Sequence, residues 1–275
     1  MNFQESRVFE QMTIKEAFVK AKDGLARDEI DLSEFEGVFG EEVEQDRKYV
    51  DKMESRFKAG ETGEEKEGRM LATILEAIIH EQAELSDWLG PDATTIKPSR
   101  YDDIANGVDE LVEFQGEEET SYLAMAIDVT FGEDVAKKFT RIKEEIDRGV
   151  LGEVKYFFSE YTGKRKKLEN VPRVVIGADA RTVKELADLW VEGKKKELGG
   201  HKIQFQILDE ILIQAEAFHN YANKFGHDNV ALAYREMARK IEEIIKEKFS
   251  GAGSQDSGER DERFYDIRMM LKKFK

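Results

Sequence analysis

Apolar and polar side chains alternate along two neighbouring segments in the middle of the chain. In residues 122–131 every second position carries a large apolar side chain, which predicts a β-strand with one face in the core. The residues of that face are Leu123, Met125, Ile127, Val129 and Phe131. Residues 108–114 predict a second strand, in which Asp109 and Glu113 lie on one side. The acidic, glycine-containing stretch between residues 115 and 120 is typical of a turn, so we predict an antiparallel hairpin.

The polar face of this hairpin carries carboxylates. Asp128 and Thr130 follow the small residues Ala124 and Ala126 on the second strand, and antiparallel pairing brings Asp109 opposite the region of Asp128. Two acids held close together repel, and they persist mainly when a cation lies between them or when one is protonated. A chance pair is conceivable among 59 acidic residues, but Asp128 follows the apolar run LAMAI, which favours a functional carboxylate.

Residues 69–90 have the period of an amphipathic helix that ends at a Gly-Pro pair. Its apolar stripe consists of Met70, Leu71, Ile74, Leu75, Ile78, Leu85, Trp88 and Leu89. Glu81 lies at the edge of this stripe, from which a carboxylate could reach a site on the sheet, so Glu81 is a candidate third metal ligand. Glu76 on the polar face is the alternative. His80 shares that polar face, where an ordinary surface residue is equally expected.

The remaining periodicities predict a mixed α/β chain with helical additions at both ends. Helices are predicted at residues 41–58, 133–148, 182–197, 203–225, 228–249 and 263–275, and further strands at 154–159 and 171–178. Residues 59–68 and 161–170 are expected to be loops, and residues 1–40 to be short helices or a docking arm. The expected divisions are a helical N-terminal region (1–68), an α/β core (69–200), a helical hairpin (201–250) and a linker with a terminal helix (251–275).

Composition limits the chemistry that the chain can use. Cysteine is absent, which excludes disulfides, thiolate zinc sites and cysteine nucleophiles. Any metal must be held by oxygen or imidazole ligands, which favours magnesium or manganese over structural zinc. There is no apolar run of about 18 residues and no secretory signal, so we expect a cytoplasmic protein without a membrane span.

The net charge of −16 opposes unspecific affinity for nucleic acid. Basic patches occur at residues 164–167, 194–196 and 137–143, although lysine runs are more often solvated surface. No GxxxxGK[ST] phosphate loop and no GxSxG elbow occurs in the sequence, and four histidines leave few bases for a catalytic triad.

The order of these features resembles the PD-(D/E)xK nuclease superfamily, which includes restriction endonucleases and archaeal Holliday-junction resolvases. The matching features are a helical glutamate, Asp109 in GVD and Asp128 in IDVT, followed by a helix and further strands, over about residues 69 to 190. The resemblance implies a restriction-endonuclease-like mixed central sheet flanked by helices. It also implies that Asp109, Asp128 and the helical glutamate bind Mg²⁺ or Mn²⁺, with Asp103 as an accessory acid.

The chain departs from the family motif at Thr130, where the family has the lysine that orients or activates the attacking water. That lysine occupies other positions in some members, so Lys137 or Lys138 on the following helix could reach back to the site. Lys97 is a weaker substitute. The resemblance implies that substrate phosphate approaches over Arg141 and these lysines.

The main functional hypothesis is magnesium-dependent hydrolysis of phosphodiester bonds, in DNA rather than RNA. The alternative is a nuclease-like scaffold in which Thr130 marks the loss of catalysis. In that case the helical C-terminal half would supply a surface for a partner protein or a homodimer. A third hypothesis is a metal enzyme of another class that uses Glu76 and His80.

Overall fold

A four-stranded mixed sheet lies at the centre of the fold, in the order β1, β2, β3, β6. Its strands are β1 Ala93–Ile96, β2 Glu110–Gln115, β3 Tyr122–Thr130 and β6 Arg173–Gly177. The pairs β1–β2 and β2–β3 are antiparallel, and β3–β6 is parallel. A separate antiparallel pair consists of β4 Gly152–Phe158 and β5 Arg165–Val171. This computed structural model describes residues 3–60, 63–115, 122–130, 135–159, 161–250 and 256–275.

Ten helices surround the two sheets in the described residues. They are α1 Phe3–Asp28, α2 Glu36–Phe39, α3 Glu42–Gly60, α4 Gly63–Leu85, α5 Val135–Asp147, α6 Ala180–Val191, α7 Lys195–Gly199, α8 Ile203–Lys224, α9 Asp228–Ser250 and α10 Glu262–Met270. Short 3-10 turns occupy Leu32–Phe35 and Leu271–Phe274, and a π turn occupies Asp102–Asn106. Within these ranges, no helix has both the length and the apolar character needed to cross a lipid bilayer.

The predicted hairpin is confirmed as β2 and β3. Glu110 pairs with Ile127, and the amide of Asp109 donates to the carbonyl of Ile127 at 3.0 Å, which extends the ladder by one residue. Met125, Ile127 and Val129 belong to the main core, as the alternation predicts. The side chain of Leu123, the residue Phe131 and the predicted turn beyond residue 115 lie outside the described residues.

Other predicted elements are partly confirmed. The helices expected at 41–58, 133–148, 203–225 and 228–249 correspond to α3, α5, α8 and α9, and the strands expected at 154–159 and 171–178 correspond to β4 and β6. The carboxylate of Asp179 accepts a hydrogen bond from the Thr182 amide at 2.7 Å and caps α6. The predicted helix 69–90 ends earlier, at Leu85.

Three local predictions were wrong. Residues 63–68, predicted as loop, begin α4, where glutamate and lysine favour a helix despite the glycines. Residues 1–40 were predicted as short helices or an arm; residues 32–39 do form two short helices, but most of this region is the single 26-residue helix α1. The basic loop expected at 161–170 contains all of β5 except its last residue, because its charged side chains lie on the outer face of the two-stranded sheet. There Lys167 Nζ lies 2.7 Å from Glu153 Oε2.

The central sheet separates two hydrophobic cores. On one face, Val112, Met125 and Ile127 join a large core built with α1, α4, α6, α8 and α9. On the other face, Leu111, Ala124 and Ala126 pack against apolar residues of β4 and β5. Asp128, two residues after Ala126, lies on this second face at the end of β3.

Side chains of α8 and α9 close the outer edge of β6. Gln214 Oε1 accepts from the Val175 amide at 2.9 Å, and Gln214 Nε2 donates to the Val175 carbonyl at 2.7 Å. Two residues further along the strand, the Gly177 amide donates to Glu210 Oε2 at 3.0 Å, and the Gly177 carbonyl accepts from Gln206 Nε2 at 3.1 Å. Four helical residues rise about 6.0 Å and two strand residues about 6.6 Å, so the spacings match. The hydroxyl of Tyr234 on α9 likewise accepts from the Arg173 amide at 3.4 Å and donates to the Arg173 carbonyl at 3.2 Å. We call Gln206, Glu210, Gln214 and Tyr234 the edge network.

Candidate functional site

Lys97 is the central cation of a charged group between α4 and the start of β2. It directly follows β1, and its side chain is only 5% exposed. Its ammonium donates to Glu76 Oε1 at 2.5 Å and to the Asp109 carbonyl at 2.9 Å. Glu76 faces β1 and β2 from α4, so Lys97 joins the helix to the strand that carries the first aspartate.

Asp109, Asp128 and Lys138 form the second half of the group. Asp109 Oδ2 accepts from the Val129 amide at 2.7 Å, which holds the carboxylate against the end of β3. The ammonium of Lys138, from the first turns of α5, donates to Asp128 Oδ1 and, at 2.6 Å, to the Val129 carbonyl. The same ammonium lies 3.5 Å from Asp109 Oδ2. Oxygen atoms from three residues thus surround one cationic group.

Arg100, Asp103 and Glu54 continue this group towards the surface. Arg100 donates to Glu54 Oε1 of α3 at 2.9 Å and to Asp103 Oδ2 in the π turn. Asp103 retains 22% exposure and Lys138 retains 21%, so solvent reaches both. We call Glu76, Asp103, Asp109 and Asp128, together with Lys97 and Lys138, the carboxylate cluster.

The carboxyl groups of the cluster have shifted pKa values: three are raised and that of Asp109 is lowered. Burial, followed by the charge of Asp109, raises the pKa of Asp128 to about 7 against the opposing effect of Lys138. Burial and neighbouring carboxylates also raise the pKa values of Glu76 and Asp103. Burial opposes ionisation of Asp109, but the charges of Lys138 and Lys97 outweigh it, and the pKa of Asp109 is lowered. Asp109 and Asp128 also share a hydrogen bond. The cluster contains four carboxyl groups and two lysines, so the lysines alone do not balance the charge of all four carboxylates.

The backbone around residues 99–107 is held by buried charges. The carboxylate of Asp102 accepts from the amides of Lys155 and Tyr156 on β4 at 2.7 and 3.0 Å. Buried Arg173 donates to the Gly107 carbonyl at 2.5 Å. Gly107 has a φ of 62°, a left-handed backbone conformation that favours glycine. These contacts fix the segment that leads into Asp109.

The structure brings five of the candidate residues together: Glu76, Asp103, Asp109, Asp128 and Lys138.

Glu81 does not join the cluster, contrary to its prediction as third ligand. Its two carboxylate oxygens accept from the indole nitrogen of Trp190 at 3.1 Å, between α4 and α6. The reason is helical geometry, because Glu76 and Glu81 are five residues apart and point about 140° away from each other. Glu76 faces the sheet edge, whereas Glu81 faces α6.

The remaining predicted residues lie around the cluster. Thr130 is buried at the end of β3, two residues after Asp128, and its Oγ1 has no hydrogen-bond partner among the described residues. Lys137 is exposed at the start of α5. Arg141 is exposed one turn further on and donates to the Asn106 carbonyl at 3.0 Å.

Sequence reasoning underestimated Lys97 and missed Arg100 and Glu54. Lys97 follows the short strand β1, which the hydrophobic pattern did not resolve, so its burial was not evident. The one available signal was the tetrapeptide ATTI, whose threonines and isoleucine favour a strand, directly before Lys97 and Pro98.

His80 is not available as a neutral ligand. Its Nδ1 lies 2.9 Å from Glu110 Oε2, and its Nε2 lies 3.5 Å from Asp28 Oδ2. Burial opposes protonation, but Glu110 and Asp28 outweigh it and raise the pKa of His80 to about 9. A protonated imidazole does not bind metal, so this pairing weakens the hypothesis of a metal enzyme based on Glu76 and His80.

Among the described residues, no group of three or more histidine, aspartate or glutamate side chains is arranged to hold a metal ion. No protein-family model, curated protein or solved structure matches the chain.

Proposed function

We propose that the chain is a nuclease that depends on a divalent metal and hydrolyses phosphodiester bonds, with DNA as the expected substrate. The observation that carries the proposal is the convergence of Asp109 Oδ2, Asp128 Oδ1 and the Val129 carbonyl on one cationic group. Lys138 supplies that cation in this structure. Three oxygen atoms directed at a single point match the preference of a hard cation such as Mg²⁺.

The order of elements also supports the proposal. A glutamate on α4, an aspartate at the start of β2 and an aspartate on the adjacent strand β3 follow one another as the resemblance to PD-(D/E)xK nucleases implies. The second face of the central sheet is covered by the pair β4–β5, which is a departure from a sheet flanked by helices alone.

The donor set fits magnesium or manganese. Mg²⁺ is commonly bound by one or two carboxylates together with waters and substrate phosphate, rather than by a complete protein cage. Asp109 and Asp128 would hold the ion, whose charge would oppose the effects of burial and of Asp109 that raise the pKa of Asp128. Once bound, the ion would make a bound water more acidic and stabilise negative charge on phosphate.

The family motif has a lysine at the position of Thr130, which orients or activates the attacking water. Lys138 would perform that role here. Because it lies on α5 rather than on β3, it reaches Asp128 from the side and can turn towards a phosphate oxygen. Lys97 would position Glu76 and the backbone of Asp109 without touching substrate. Exposed Arg141 would contact a neighbouring phosphate.

One observation favours the alternative, a nuclease-like scaffold without catalysis. Lys138 already lies between both aspartates, so the cluster is partly neutralised without metal. Under this alternative the protein would bind neither Mg²⁺ nor Mn²⁺, and its surfaces would serve only for interaction.

Nicking of supercoiled plasmid in Mg²⁺, in Mn²⁺ and in chelator separates the two. We expect cleavage only with a divalent ion, and its loss in Asp109→Asn. The matched control is Asp51→Asn, because Asp51 is an exposed aspartate of α3, outside the cluster. Absence of cleavage by the wild type on both DNA and RNA would favour the scaffold. Full activity in Asp109→Asn would show that the cleavage does not come from this site.

A further inference from the structure

A groove with several basic side chains along its walls lies between α8 and the C-terminal elements, away from the carboxylate cluster. It encloses about 850 Å³ and is bounded by Tyr221 and Lys224 of α8 and by Tyr265 and Arg268 of α10, with Lys272 just beyond α10. We call this the basic groove.

The charge of the basic groove is opposite to that of the whole chain. The chain carries a net charge of −16, yet the groove is lined by Lys224, Arg268, Lys272 and Lys275 and by no acidic side chain. Lys224 Nζ donates to the main-chain oxygen of Lys275 at 3.4 Å, and among the described residues no aspartate or glutamate forms an ion pair with Lys224, Arg268 or Lys272. By contrast, exposed Arg239 and Lys246 of α9 each pair with a glutamate one turn away. The groove is therefore a local attractor for anions on an acidic protein.

Aromatic and sulfur-containing side chains are exposed beside these cations. Tyr265 and Met269 are each 53% exposed, and neighbouring Phe225 is 54% exposed. The ring of Tyr265 meets the edge of Phe264 with centroids 5.5 Å apart, which helps to hold its orientation. Cations that follow a phosphate backbone, combined with an exposed aromatic face for a base, are the features of sites that bind single-stranded nucleic acid.

Helix α5 connects the basic groove to the carboxylate cluster. Lys138 in its first turns contacts Asp128, and Asp147 at its last residue accepts from the Tyr221 hydroxyl at 2.7 Å. A helix of 13 residues is about 20 Å long, so the groove and the cluster lie near opposite ends of one rigid rod. Exposed Arg141 lies between them on the same helix.

We propose that the basic groove binds a single-stranded segment of nucleic acid. Lys224, Arg268 and Lys272 contact its phosphates, and a base stacks on Tyr265. The role of this segment as a part of the substrate rests on the proposed nuclease function, whereas the binding itself does not.

The test is fluorescence anisotropy with a labelled oligothymidylate of about 20 nucleotides, a length that exceeds common site sizes. Chelator is present, so that no metal-dependent cleavage occurs. The variant Arg268→Glu/Lys272→Glu should weaken binding at least about 10-fold and reduce the slope of log affinity against log salt by about 1.4, because two phosphate contacts are lost. Tyr265→Ala should weaken binding by roughly 5- to 100-fold.

The matched control is Arg239→Glu/Lys246→Glu. It makes the same change of net charge at residues of α9 that are 71% and 74% exposed. Circular dichroism melting of each variant verifies folding. An equal loss of affinity in the control would overturn the proposal, because net charge alone would then explain binding. Competition by polyglutamate as strong as that by unlabelled oligonucleotide would also overturn it, and would indicate an acidic protein as the occupant.

The two proposals fail separately. If the wild type binds the oligonucleotide through the groove and cleaves nothing in Mn²⁺, the nuclease function fails and the groove stands. If the wild type cleaves DNA while the groove variants bind like the wild type, the groove proposal fails alone.

Discussion

The edge network on β6 and the carboxylate cluster on β2 and β3 both bury carboxyl groups at the same central sheet. In the edge network, Glu210 is fully buried and its pKa is raised well above the ordinary value, mainly by burial. In the cluster, burial likewise raises the pKa of Asp128 to about 7. Burial and a shifted pKa therefore do not distinguish the two regions.

The two regions differ in what their polar atoms contact. Glu210 and Gln214 bind backbone groups of β6, which replace the missing neighbour strand. Asp109 also accepts from one backbone amide, that of Val129, but Asp109 and Asp128 in addition face each other and Lys138, and part of the group is open to solvent. A buried polar group that pairs with backbone stabilises the fold, whereas like charges held together within reach of solvent are a feature that binding sites often have.

The largest difference between the regions should appear in cleavage. Under the proposed nuclease function, we expect Asp128→Asn to reduce the rate of plasmid nicking by about 100-fold or more, since it removes a charge from the proposed metal site. Glu210→Gln, a matched neutralisation in the edge network, should change the rate less than about twofold, because the group stabilises β6 only. Initial rates at equal protein concentration measure both. A similar loss in both variants would mean that the comparison is false.

Stability should show the opposite order. Gln214→Leu leaves the amide and the carbonyl of Val175 unpaired in the core and should lower the free energy of unfolding by about 2 to 4 kcal/mol. Glu216→Leu, at an exposed position of the same helix, should change it by about 0.5 kcal/mol or less. Urea denaturation followed by circular dichroism measures both. Equal stability of the two variants would show that α8 does not satisfy the edge of β6.

The dependence of stability on pH should report the raised pKa of Asp128, which burial and then the charge of Asp109 cause. The pKa of Asp128 is about 7 in the folded protein, against an ordinary value of 3.8, so the folded state keeps a proton that the unfolded chain releases. This contribution is fully present below about pH 4 and is lost as the pH rises through about 7.

Asp128→Asn should therefore flatten the fall in stability over this range. We expect a difference of about 1 to 2 kcal/mol, because each pKa unit corresponds to about 1.4 kcal/mol and the lowered pKa of Asp109 offsets part of the effect. Denaturation midpoints at several pH values measure it, with Asp51→Asn as the control. A parallel fall in Asp128→Asn and wild type would contradict the shifted pKa.

The smallest expected effect is stabilisation by magnesium. At a Mg²⁺ concentration about ten times the dissociation constant, the wild type should gain about 1.4 kcal/mol. Glu210→Gln should retain this gain, and Asp128→Asn should lose it. Differential scanning fluorimetry with Mg²⁺ or Mn²⁺ measures the change. A gain that persists in Asp128→Asn would locate the ion elsewhere.

Much of the site was predictable because it depends on strand periodicity. The alternation of residues 122–131 put Asp128 on the opposite face from Ile127, and antiparallel pairing put Asp109 beside it. Lys138 was expected on the first turns of the following helix, and the structure has it there. These inferences succeed because the period of two and the helix start are local properties of the chain.

Other parts could not be predicted, since they depend on which elements pack together. The choice between Glu76 and Glu81 depends on whether β1 or α6 lies against each side of α4, and Trp190 is 109 residues away from Glu81. Lys97 looked unremarkable because nothing local indicates that it would be buried between α4 and β2. The pairing of Gln214 with Val175 joins residues 39 positions apart.

The sequence by itself determined the mixed α/β character, the central hairpin, the helical hairpin α8–α9 and the absence of thiolate chemistry. These follow from residue types and short periods, which act over a few neighbouring residues. Only the tertiary structure decided that Lys97 and Lys138 lie among the carboxylates, that α8 closes β6 and that four basic residues line one groove. Those arrangements depend on long-range packing, because burial and the proximity of charges arise only once distant segments meet.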